Sequence, residues 1–78
     1  MRYEASIKIT LPRFVVRVWR ELESDKTYKR AEHADLEALA YANQELELSE
    51  LARLLLAAPG VVSVEVRDWN QCGVRFVA

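Results

Sequence analysis

Few residues of this chain could make or break a bond. They are one cysteine (Cys72), one histidine (His33), four serines (Ser6, Ser24, Ser49 and Ser63) and a run of acids at Glu45, Glu47 and Glu50. Cys72 lies in the stretch RDWNQCGVRF and shares its parity with Val74 and Phe76. An extended strand through those positions turns the thiol toward the core, where a thiol without neighbouring cations is inert. A catalytic thiol or hydroxyl needs a base in reach, and no spacing joins His33 to Cys72 or to a serine. None of the serines sits in a glycine elbow. A lone cysteine excludes an internal disulfide and a zinc site built from several thiolates. His33 with Asp35 and Glu37 reads as the start of a helix rather than a ligand set. The three acids read as a solvated helix face rather than an acid–base pair. The two glycines stand in no phosphate-binding loop. The expectation is a chain that is not an enzyme and carries no cofactor and no metal.

The totals point the same way. The chain has 78 residues, 51% hydrophobic and 29% charged, which is the composition of a globular protein. That length fits one small α+β domain over residues 1–78, with marginal stability because a short chain buries little of its surface. A formal net charge of −1 gives no bulk attraction to nucleic acid or to an anionic membrane. The start MRYEASIKIT lacks the apolar core of a signal peptide. The longest apolar run, LLLAAPGVV, falls far short of the ~20 residues that span a bilayer. A cytoplasmic, complete small gene product with no membrane association is expected.

The elements that position these residues follow from periodicity. Tyr3, Ala5, Ile7 and Ile9 alternate with polar residues, which marks a half-buried strand. Pro12 suits the turn that follows. In FVVRVWRE, Phe14, Val16 and Val18 share one face and Val15, Arg17 and Trp19 the other. ESDK signals a second turn, and TYKRAE offers a third, edge strand over residues 27–31. ADLEALAYANQ reads as a helix with Leu36, Leu39 and Ala40 inward. The later stripe of Leu48, Leu51 and Leu55 is rotated by about 100° from it, so the helix breaks or kinks near residues 45–49. Ser49 is the expected cap of the second piece, and Pro59 and Gly60 end it. Val62, Val64 and Val66 form the inward face of the next strand, and Val74 and Phe76 that of the last. The reading is a single antiparallel sheet of four to five strands in ββ(β)αββ order, with one long or broken helix on one face.

Charge is placed unevenly on this frame. Residues 1–30 hold eight lysines and arginines against four acids, and residues 31–60 hold one arginine against six acids. Strand parity puts Lys8, Arg13, Val15, Arg17, Trp19, Arg67, Trp69, Arg75 and Val77 on the sheet face away from the helix. Arginine and tryptophan are enriched at binding hot spots. Lys8, Val15, Arg17, Trp19, Arg67, Trp69 and Arg75 are therefore the candidate partner-binding residues. The plainer alternative is that both tryptophans merely cover a thin sheet, with arginine stems laid over them. A symmetric homodimer through this face or through an open strand edge is a further option.

Two stretches resemble known modules. AAPGVVSVEV resembles the helix–PGV–strand junction of small ferredoxin-like domains, including heavy-metal-associated and amino-acid-sensing ones. The metal-binding modules carry a CxxC that this chain lacks, and both place a helix between their first two strands, where ITLPRF leaves no room. CGVRFVA resembles the glycine–aromatic strand of RNA-recognition sheets, but Val74 stands where an exposed aromatic would stack on a base. No metal, ligand or family is carried over. The expected function is a small protein-binding module acting as a regulator, adaptor or inhibitor. Phage and mobile-element accessory products, such as anti-CRISPR inhibitors, include many chains of this size. The alternative is a nucleic-acid-binding domain that uses the same basic, tryptophan-bearing face.

Overall fold

The computed structural model describes residues 3–22, 33–70 and 73–78. Its elements run β1 (Tyr3–Thr10), β2 (Phe14–Leu22), α1 (Ala34–Ala42), α2 (Leu48–Leu56), β3 (Val61–Asp68) and β4 (Gly73–Val77). The strands form one sheet in the order β1-β2-β3-β4, with every neighbouring pair antiparallel. Both helices lie in the long connection between β2 and β3. This is the α+β layer pair expected, with the expected long or broken helix present as two separate helices. TYKRAE and Cys72 lie outside the described residues.

The alternation of apolar residues builds the core directly. Ala5, Ile7 and Ile9 of β1, Phe14, Val16 and Val18 of β2, and Val64 and Val66 of β3 are buried on one face. Leu36 and Ala40 of α1 and Leu51, Ala52 and Leu55 of α2 cover them. Burying each leucine contributes about 2 kcal/mol. Leu11, just past β1, is also fully buried. Its amide donates to the Phe14 carbonyl at 2.8 Å and closes the β1–β2 hairpin.

The helix divides where the apolar stripe rotates. Asn43 and Gln44 close α1 by donating side-chain amides to the Leu39 carbonyl at 2.9 Å and the Tyr41 carbonyl at 3.1 Å. Those carbonyls have no partner further along the helix, so amide side chains suit this position. Three of the expected details change; Val74 of β4, expected inward, is 47% exposed. Ser49 lies inside α2, and its cap is Glu47 with extended backbone (φ −65°, ψ 155°). In β3, Trp19 faces Ser63 but Arg20 faces Val61, so Val62 is an extra residue in a β-bulge. The bulge puts Val61 in the buried place expected for Val62, which is only half-buried.

Candidate interaction face

The open face of the sheet is organised in cross-strand rows. Ser6, Trp19, Ser63 and Val77 form one row. Lys8, Arg17, Glu65 and Arg75 form the next, and Thr10, Val15, Arg67 and Gly73 the third. Lys8, Arg17, Arg67 and Arg75 are exposed, whereas Val15 and Trp19 are half-buried among them. Five of the expected residues from β1, β2 and β4, with Arg67 of β3, thus fall on one surface.

The centre of this surface is ordered by side-chain contacts. The Arg75 guanidinium lies 4.4 Å from the centre of the Trp19 ring, and its Nη2 donates to Ser63 Oγ at 3.2 Å. Arg67 Nε sits 3.2 Å from Glu65 Oε1. Lys8 and Arg17 stand directly opposite each other as like charges. The face therefore presents cations around one guanidinium-capped indole, with a single carboxylate in the central row.

Trp69 and Arg13 lie elsewhere. Trp69 is 61% exposed in the turn after β3, and its Nε1 donates to the Pro12 carbonyl at 2.7 Å. It links the two hairpin turns at one end of the sheet, roughly 20 Å along the strands from Trp19. Arg13 stacks over Phe14 at 5.0 Å and donates to the Glu45 carbonyl at 3.3 Å, so it turns toward the helical layer rather than the open face.

The backbone beneath Trp19 is fixed from the other side by Arg20, which parity alone does not single out. Arg20 points into the helical layer and is 9% exposed. Its two terminal nitrogens donate to Asp35 at 3.0 and 2.9 Å, and its Nε donates to the Pro59 carbonyl at 2.9 Å. One side chain thus ties β2 to the start of α1 and to the α2–β3 junction. The Arg20 hydrogen bonds hold the Asp35 carboxyl below its ordinary pKa. An arginine at an inward parity position, with an acid at a helix start, was the available sequence signal.

Among the described residues, His33 and Ser63 are not brought together. His33, 6% exposed, caps α1 in the helical layer, whereas Ser63 faces the opposite side of the sheet. No group of three or more histidines, cysteines and acids suited to a metal occurs among the described residues. No helix among them is long and apolar enough to cross a membrane. Compared with family models, curated proteins and solved structures, the chain matches none.

Proposed function

We propose that this chain is a small, non-enzymatic protein-binding module, a regulator, adaptor or inhibitor, that engages a protein partner through its open sheet face. The supporting observation is the central row of Lys8, Arg17, Glu65 and Arg75 beside Trp19. Rigid arginines and a half-buried indole are the groups that carry binding energy at protein interfaces. They sit on paired strands rather than loops, so little ordering entropy is lost on contact.

Nucleic acid is the second reading, because the same row offers cations for phosphates. Base stacking needs a bare aromatic face. Here one face of Trp19 is covered by the chain's own Arg75, which favours the protein reading. The test is capture of partners from lysate of the source cell, with and without nuclease, by the wild type and by the Arg17→Ala/Trp19→Ala double variant. A protein that survives nuclease and is lost with the double variant supports the module. Capture that vanishes with nuclease and falls steeply with salt supports nucleic acid. Capture unchanged by the double variant removes the sheet face from both.

A further inference from the structure

Two cations in the middle of the open face have no anion to balance them. Lys8 of β1 and Arg17 of β2 are directly opposed, and both are exposed. Among the described residues, neither makes a hydrogen bond or an ion pair. The backbone phase brings them close. The Leu11 amide bonds to the Phe14 carbonyl, and these two residues continue the register that pairs Ile9 with Val16. Hydrogen-bonded and non-hydrogen-bonded pairs alternate along an antiparallel ladder. Lys8 and Arg17 are therefore a non-hydrogen-bonded pair, the kind whose Cα atoms stand about 4.5 Å apart. Like charges directly opposed in this way are destabilising.

The other cations of the face are engaged from within the chain. Arg67 Nε sits 3.2 Å from Glu65 Oε1. Arg75 is held over the Trp19 ring and by Ser63 Oγ. Glu65 stands opposite Arg17 on β3, yet its carboxylate is turned to Arg67. The uncompensated charge of the face is thus concentrated on Lys8 and Arg17. Along β2, half-buried Trp19 and Val15 border Arg17 on either side. The result is a compact positive spot edged by apolar surface. A local cost without a gain in the free chain is expected at functional sites.

We infer that Lys8 and Arg17 together bind a carboxylate of the partner protein, an aspartate or glutamate side chain flanked by apolar residues that lie against Trp19 and Val15. Arg17 offers a planar fork that meets both oxygens of a carboxylate, and Lys8 adds a point charge beside it. The arriving anion also relieves the repulsion between the two cations. A nucleic-acid backbone fits this spot less well. Phosphates running along the central row would meet the Glu65 carboxylate, which is 26% exposed between Arg17 and Arg75. Two free cations make one contact, not the series of phosphate contacts that drives nucleic-acid binding. The inference rests on the open face being the partner-binding surface and names the chemistry that surface takes.

The experiment is a titration of the purified chain at low salt with a short oligo-glutamate peptide, followed by backbone amide shifts in NMR. Oligo-glutamine is the neutral control and a single-stranded oligonucleotide the phosphate control. Oligo-glutamate should shift the amides around Lys8 and Arg17, oligo-glutamine should not, and the oligonucleotide should bind more weakly. Lys8→Gln/Arg17→Gln should weaken oligo-glutamate binding by roughly tenfold. Arg53→Gln, in the helical layer, should leave it unchanged. Lys8→Glu should lose the peptide and raise the Tm of the free chain by up to about 4 °C, because it pairs with Arg17. Absence of binding, shifts centred elsewhere, or equal binding by the double variant overturns the inference. So does an oligonucleotide that binds more tightly at the same residues, or a Lys8→Glu chain that is no more stable. A protein captured from lysate equally by wild type and Lys8→Gln/Arg17→Gln, but lost with Arg17→Ala/Trp19→Ala, overturns this inference and leaves the module reading standing.

Discussion

Arg75 covers the Trp19 ring at 4.4 Å, although the two belong to β4 and β2, which are not neighbours in the sheet. The strand between them contributes Ser63, whose side chain is too small to block the reach and whose hydroxyl accepts a hydrogen bond from Arg75. A small polar residue in the middle strand thus permits a contact across three strands.

Removal of this contact should be measurable in stability. Arg75→Ala is expected to cost about 0.5–1 kcal/mol, the usual size of an exposed cation–π contact. For a chain of this length that corresponds to a fall in Tm of about 4 °C, read by thermal denaturation. In a Trp69→Phe background, iodide quenching of the remaining Trp19 fluorescence should rise. Unchanged quenching would mean that the guanidinium does not cover the ring in solution.

The Arg20–Asp35 pair should make stability depend on acid. Asp35 has a folded-state pKa lowered by Arg20, below the unfolded value near 3.9. Its contribution is therefore fully present above the unfolded pKa and is lost as pH falls through the folded one. Asp35→Asn should destabilise by about 1 kcal/mol at neutral pH, a figure kept small because the carboxylate is half exposed. The gap between wild type and variant should close below about pH 4, as followed by urea denaturation at several pH values. A gap that persists at pH 2 would show that the carboxylate charge is not what acts.

Gly60 should tolerate no side chain. Its φ is +79°, and an added Cβ would lie 2.8 Å from the Glu21 carbonyl oxygen. The Glu21 amide donates to the Gly60 carbonyl at 2.8 Å, so the backbone cannot move away without breaking that bond. Gly60→Ala is expected to cost about 1–3 kcal/mol in chemical denaturation. Loss of only a few tenths would indicate that the junction relaxes.

Leu11→Ala should be among the most damaging single truncations, at about 2–5 kcal/mol. Leu11 is 1% exposed although it sits in a turn. A cost below 1 kcal/mol would mean that the turn collapses into the space.

Much of this fold could be read from the sequence because period-two alternation is a local signal. Ile7 and Ile9, Val16 and Val18, and Val64 and Val66 all follow it. That the helix divides was legible from the rotation of the leucine stripe, which put the break near residues 45–49; it falls between Ala42 and Leu48. What escaped was set by tertiary contact. Arg20 sits inward because Asp35 and the Pro59 carbonyl, distant in sequence, receive its donors. Leu11 is buried in the common core although it sits in a turn, which no turn signal records. Parity rightly placed Lys8, Val15, Arg17, Trp19, Arg67, Arg75 and Val77 on the open face, but not Arg13 or Trp69, which turn away from it. Its grouping into rows depends on the register between β2 and β3, which are separated by the helical segment. The separation of Trp69 from Trp19 depends on the same register.

Val62 gives β3 a property that the other strands lack. Because it is the residue without a partner in the β2–β3 ladder, the sequence on either side is held in opposite phase by one extra position. A deletion elsewhere in a strand would turn every following side chain from core to solvent. A deletion of Val62 would instead leave Ser63 opposite Trp19 and Val61 opposite Arg20, in an unbroken β2–β3 ladder with both apolar faces intact, at the cost of the bond that Ala78 N–H makes to the Val62 carbonyl. The strand that closes the two hairpins into one sheet is therefore the place where this chain can be shortened by a residue and still keep its inside and its outside.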